Sequence, residues 1–220
     1  MATETDPDPV ASGRRIGVFG GTFDPPHIGH VAVARDVADR LGLDRVLWIP
    51  AGAPPHKPAG AGASAAARLR MVERAVTADP RFVACAIETE RAGPSYTSDT
   101  LRGLRGELGA VELFLILGVD QYRALDSWHE PDAILRQATL AVMDRGGESA
   151  HDVSAPDAVT RAEASDRDRV RSGGVLFVPV RRVDVSSTDV RARVAGEEPF
   201  GHLVPEGVGA IIDEEHLYRD

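Results

Sequence analysis

Apolar residues in this chain fall into short dense runs, separated by stretches in which they recur every three or four positions. The runs are Ile16 to Phe19, Val46 to Ile49, Phe82 to Ile87, Val111 to Leu117, Thr139 to Met143 and Val175 to Val180. Such runs predict strands, and the all-apolar ones predict strands covered on both faces. Between them, Val31, Val33, Ala34, Val37, Ala38 and Leu41 predict a helix over 28–41. Leu69, Val72, Ala75 and Val76 mark one face of a helix over 65–78, capped by Ser64. Leu101, Leu104 and Leu108 mark another over 100–108, with Thr97 or Ser98 as its cap. Shorter helices are expected at 133–137, from Ser187-Thr188-Asp189 through Val194, and from Pro205 toward Ile212. The segment 50–62 holds four prolines and three glycines and reads as a loop. The polar segment 146–174 shows weak helical character near Pro156 to Ser165.

Strands alternating with helices imply an α/β fold: a Rossmann-like, doubly wound, mostly parallel sheet with helices on both faces. Ligands of such sheets sit at the carboxyl ends of the strands. Residues 20–30, 50–57, 118–120 and 186–191 each follow a predicted strand, so one crevice can collect them. Residues 1–14 are acidic, proline-rich and aperiodic, which predicts a disordered tail ahead of a single domain over 15–220.

Composition narrows the partners. The net charge of -9 argues against a nucleic-acid surface. No stretch approaches the roughly 18 apolar residues of a membrane span, and the acidic start does not resemble a signal peptide, so a cytoplasmic protein with no membrane association is expected. Cys85 is the one cysteine, which excludes an intrachain disulfide. Of 25 basic residues, Lys57 alone is lysine. A GC-rich genome explains that bias, yet a lysine surviving it hints at constraint. Whether copies associate as a homo-oligomer is left open by the sequence.

The candidate chemistry begins at Gly20-Gly21-Thr22-Phe23, where the first strand ends in a glycine turn ahead of a helix start. That geometry gathers backbone N–H groups and a positive helix end around an anion. His27 and His30 lie three apart and share one helix face. A single histidine is more commonly a surface or satisfied core residue. Paired histidines also suggest zinc, but no glutamate follows the first and no cysteine is near, so contact with phosphate is the better reading.

The stretch Gly20-Gly21-Thr22-Phe23-Asp24-Pro25-Pro26-His27-Ile28-Gly29-His30 resembles the signature of the His-x-Gly-His nucleotidyltransferase superfamily. Pro54-Pro55-His56-Lys57, Pro94-Ser95-Tyr96-Thr97-Ser98-Asp99-Thr100-Leu101, Gly118-Val119-Asp120, Trp128 and Ser186-Ser187-Thr188-Asp189-Val190-Arg191 follow in order, and within that superfamily they resemble the bacterial nicotinate mononucleotide adenylyltransferases.

The resemblance implies an enzyme that takes ATP and nicotinate mononucleotide. It places Gly20, Gly21, Thr22 and Phe23 with both histidines around the ATP phosphates, His30 at the α-phosphate and His27 nearer the β and γ groups. Ser186, Ser187, Thr188 and Arg191 would receive the β and γ phosphates. A plain helix cap would also use the serines and threonine, but capping does not require Arg191. Lys57, otherwise a solvated loop lysine, would bridge the two substrates' phosphates. Gly118 and Asp120 would contact the adenosine ribose. Trp128 would stack on the pyridine ring, against the alternative of a core tryptophan. Tyr96, Thr97 and His129 would surround the pyridine carboxylate. Asp24 is expected to be a structural turn acceptor. Mg2+ is implied with ATP, with no side-chain metal ligands. The alternatives are another member of the superfamily, such as a pantetheine-phosphate adenylyltransferase or cytidylyltransferase, and a nucleotide-sensing module without turnover.

Overall fold

The structure is a computed structural model that describes residues 14–53, 62–144 and 174–219, together with the backbone of 159–161. Among the described residues seven strands form one sheet: β1 (Arg15–Gly21), β2 (Arg45–Pro50), β3 (Phe82–Ala84), β4 (Glu112–Gly118), β5 (Thr139–Asp144), β6 (Val159–Arg161) and β7 (Val175–Pro179). Their order is β3-β2-β1-β4-β5-β7-β6, and every pairing is parallel. The helices are α1 (Ile28–Leu41), α2 (Ala65–Ala75), α3 (Thr97–Leu108), α4 (Val119–Arg123), α5 (Pro131–Gln137), α6 (Ser187–Ala195) and α7 (Val208–Glu214).

Side chains alternate across the sheet and build two cores. Trp48, Phe114, Ile116, Met143 and Val178 face α1, α2, α6 and α7. Ile16, Val18, Leu47, Leu115, Val142 and Phe177 face α3, α4 and α5. With both faces covered, each central strand must be apolar at nearly every position, which explains the dense runs in the sequence. Gly17 interrupts β1 because a Cβ there would stand 2.9 Å from Leu43 and 3.0 Å from Ile116.

Several elements differ from expectation. On α2 the buried face is Ala67, Arg68, Met71, Val72 and Ala75, rotated so that Leu69 is only half-buried. The cap of α3 is Tyr96, not Thr97 or Ser98; Ser98 lies inside the helix and is fully buried. Strand β3 stops at Ala84 rather than Ile87, and α7 starts at Val208 rather than Pro205. Helical character near Pro156 to Ser165 is overturned at Val159–Arg161, which pairs with β7 as the sheet's edge strand. The tail at 1–13 and most of the 50–62 loop, Lys57 included, lie outside the described residues.

Local polar contacts tie the layers. Ser64 Oγ accepts from Ala67 N–H at 3.1 Å, as a helix cap should. Gly42 ends α1 in the left-handed conformation, at φ 59°. Ahead of β3, the buried Asp79 accepts from Arg81 N–H, Nε and Nη2 at 2.9 to 3.0 Å and from Arg35 Nε of α1 at 3.3 Å. Those bonds, led by the Arg81 guanidinium, hold its carboxyl well below the usual range. No helix of the described residues is long and apolar enough to cross a membrane.

Candidate active site

After β1 the chain builds β2 and β3 on one side, then crosses to β4 on the other. The carboxyl ends of β1 and β4 therefore diverge at a topological switch point, where a crevice opens. Two cavities occupy it. The larger, of about 970 Å³, lies between the β1 turn, the Gly118 to Gln121 segment and the start of α6. The smaller, of about 260 Å³, lies against Ile49, the start of α3 and Trp128. Gly20, Gly21, Thr22 and Gln121 line both, so the glycine turn is the wall they share. A Cβ on Gly20 would meet nothing within 4 Å, which shows how open that junction is.

His30 borders the larger cavity, and its ring is fixed from three sides. Phe23 meets it edge-on with centroids 5.1 Å apart, and Trp48 and Phe19 stand behind at 6.5 and 6.1 Å. His27 stacks on it at 3.6 Å. The His27 backbone N–H donates to His30 Nδ1 at 3.1 Å, which makes Nδ1 an acceptor. In neutral His30 the ring proton then resides on Nε2, the remaining nitrogen, which is the donor. His27 itself is 8% exposed and lines neither cavity, so it stands behind His30 rather than in the wall. Gly29 is glycine because a Cβ there would lie 3.0 Å from the His27 ring and from Val185.

The start of α6 docks on the β1 turn. Ser186 caps the helix, its Oγ accepting from Asp189 N–H at 3.1 Å. Ser187 Oγ donates to the Pro25 carbonyl at 2.8 Å. Arg191 donates from Nη1 to the Asp24 carbonyl at 2.8 Å and from Nη2 to Thr188 Oγ1 at 3.3 Å. A guanidinium carries five N–H donors, so Arg191 keeps capacity for an anion after those two bonds. Ser186, Ser187 and Asp189 border the larger cavity, with Thr188 and Arg191 alongside on the same helix. Opposite them, Gly118 N–H donates to Gln121 Oε1 at 3.0 Å, and Asp120 is exposed at the rim.

The smaller cavity gathers the other predicted residues. Tyr96 and His129 pack ring to ring at 4.3 Å, and Thr97 begins α3 beside them. Trp128 is half-buried in the wall. Glu88 also borders this cavity; it accepts from Thr100 Oγ1 at 2.7 Å, and burial pushes its carboxyl up. Among the described residues no group of three or more His, Cys, Asp or Glu side chains is placed to hold a metal ion.

Sequence reasoning missed Arg68, Glu88, Gln121 and Tyr218. Arg68 carried one signal, a charged residue one step from the apolar stripe of α2. Asp24 is a structural acceptor as expected, but its partners are distant: Gly62 N–H at 2.7 Å, Ala63 N–H at 3.0 Å and Tyr218 OH at 2.8 Å.

A doubly wound sheet that brings a glycine turn, a His-x-Gly-His helix start and a second helix start to one crevice defines a nucleotide-binding protein of the nucleotidyltransferase class. The chain belongs to the cytidylyltransferase-like family, whose model matches residues 18–193, and within it to the nicotinate-nucleotide adenylyltransferases. The "Probable nicotinate-nucleotide adenylyltransferase" of Chromobacterium violaceum is 45% identical, over 93% of this chain and 99% of its own length. That of Salinibacter ruber is 41% identical, over 93% and 97%. The nicotinic acid mononucleotide adenylyltransferase of Plasmodium falciparum, solved in complex with NaAD, shares the fold: its TM-score is 0.67 at 14% identity, covering 93% of this chain and 97% of that one.

Proposed function

We infer that the protein transfers AMP from ATP to nicotinate mononucleotide, giving nicotinate adenine dinucleotide and pyrophosphate. The observation that carries this reading is the pair of cavities sharing the Gly20 to Thr22 wall, one beside His30 and α6, the other beside Trp128 and the start of α3. ATP takes the larger cavity and the mononucleotide the smaller, so that their phosphates meet at the glycine turn.

The mononucleotide phosphate is the nucleophile. One of its oxygens attacks the ATP α-phosphorus in line, a new P–O bond forms, and the bond to the β-phosphate oxygen breaks to release pyrophosphate. That phosphate is already anionic at neutral pH, so no side chain need take a proton. His30 donates from Nε2 to the α-phosphate as charge shifts, a role worth about 2.7 to 4 kcal/mol for a well-placed donor. His27 braces the ring and fixes its tautomer through the main chain, beside the β and γ groups where the resemblance places it. Thr188, Arg191 and the N–H groups at the start of α6 receive the leaving pyrophosphate. Lys57 bridges the two reacting phosphates. Mg2+ enters on ATP as part of the substrate. Gly118 and Asp120 hold the adenosine ribose, and Trp128 stacks on the pyridine. The first N–H groups of a helix have no intrahelical acceptor, so Thr97 at the start of α3 offers its own to the nicotinate carboxylate. The reaction is assigned to the cytoplasm.

The test is pyrophosphate release with ATP and, in turn, nicotinate mononucleotide, nicotinamide mononucleotide and phosphopantetheine. The expected result is the highest kcat/KM with nicotinate mononucleotide. Turnover of phosphopantetheine without turnover of the pyridine nucleotide would overturn the assignment.

A further inference from the structure

Beneath the β1 turn lies a buried polar cluster drawn from three distant parts of the chain. The Asp24 carboxylate accepts from two main-chain N–H groups, of Gly62 and Ala63, and from the Tyr218 hydroxyl. Arg68, only 2% exposed, sends its guanidinium to three carbonyls: Ala63 at 3.3 Å, Thr22 at 2.9 Å and Gly52 at 3.3 Å. The Tyr218 ring lies against Gly62, where a Cβ would come within 3.0 Å of it. Burial, together with Asp24, raises the Tyr218 phenol, which keeps it a donor at neutral pH.

Such a cluster is a poor device for stability alone, because buried charged groups commonly do no better than well-packed apolar ones. Its outer side suggests what it does. The main-chain carbonyl of Asp24 receives Arg191 Nη1, and that of Pro25 receives Ser187 Oγ. Asp24 is therefore gripped through its side chain by the chain's C-terminal turn, while its main chain orients the arginine of α6.

We propose that Asp24, Arg68 and Tyr218 form a clasp that positions Arg191 for the ATP triphosphate, with Tyr218 as a positioning residue rather than a catalytic one. The proposal rests on the reading of Arg191 as a phosphate contact. Y218F keeps the ring against Gly62 and removes only the hydroxyl, so it isolates the grip on Asp24.

The test is a double-mutant cycle of Y218F and R191A. It is read in single-turnover rate and in Kd for a non-hydrolysable ATP analogue, with a thermal midpoint for each variant. Loss of a hydrogen bond to a charged group predicts that Y218F alone worsens the single-turnover rate, the analogue Kd or the two combined by about tenfold or more. In the R191A background, Y218F should change either readout by less than about twofold, because its effect passes through the missing arginine. A merely structural role would lower the midpoint and give additive losses, and additivity overturns the clasp. Full activity of R191A removes the reading of Arg191 and this proposal with it, whereas an impaired R191A with additive Y218F removes the clasp alone. Should Y218F fail to fold, R68K takes its place in the same cycle, since it keeps the charge but not the fork that reaches three carbonyls.

Discussion

Gly29→Ala sets two physical effects against each other with opposite signs. Gly29 is the second residue of α1, and replacing a helical glycine by alanine stabilises a helix by at most about 1 kcal/mol. The added methyl, however, would stand 3.0 Å from His27 Cε1 and Nδ1 and 3.0 Å from Val185 Cγ1. The His27 ring stacks on that of His30 at 3.6 Å, so any shift that relieves the contact is passed to His30. Overpacking of this kind costs about 1 to 3 kcal/mol, so packing outweighs propensity and the variant should be less stable by up to about 2 kcal/mol. The displaced His27 also carries the N–H that holds His30 Nδ1. A misplacement near 1 Å can cost about 100-fold in rate, so a shift of a few tenths should lower kcat by about tenfold. Steady-state pyrophosphate release and urea unfolding of the same preparation measure both quantities. A G29A protein that is more stable than the parent and equally active would refute this account of the His-x-Gly-His turn.

Other consequences can be measured independently. Trp128→Ala should raise KM for nicotinate mononucleotide by about tenfold, from loss of one stacking face, and leave KM for ATP within about twofold; equal rises in both would place Trp128 outside the pyridine cavity. Asp79→Asn should destabilise the fold by about 2 kcal/mol at pH 7, since it removes hydrogen bonds to a charged acceptor. The Asp79 carboxyl titrates below its unfolded value, so its contribution is complete above about pH 4 and fades as pH falls further. Urea unfolding at pH 7 and pH 3 should therefore show the gap between parent and variant closing at the lower pH, and a constant gap would contradict the assigned ion pair.

The sheet was legible because its chemistry is local. A strand covered on both faces must be apolar at successive positions, so β1, β2, β4, β5 and β7 stand out as runs. The misreadings arise where tertiary contacts or short length override the local pattern. Leu69 is more apolar than Arg68, yet the buried face of α2 takes Arg68, because Thr22, Gly52 and Ala63 offer it carbonyls that no helical periodicity records. Strand β6 has three residues inside a charged segment, too short to show a period. In the site, the glycine turn, the histidines and the α6 start announced themselves through spacing within one turn of chain. The partners of Asp24 are 38, 39 and 194 residues away, so they were invisible until the chain closed on itself. The tautomer of His30 likewise follows from a main-chain bond rather than from the residue's identity.

The central claim is that His30, held as an Nε2 donor, serves the transition state at the α-phosphate. His30→Ala tests it in a single-turnover measurement with saturating ATP and nicotinate mononucleotide, alongside the Kd for ATP. The account predicts a rate constant lower by about 100-fold or more, the loss expected for one preorganised donor, with Kd changed by less than about threefold. A rate constant near the parent value, with the loss confined to ATP affinity, would contradict it.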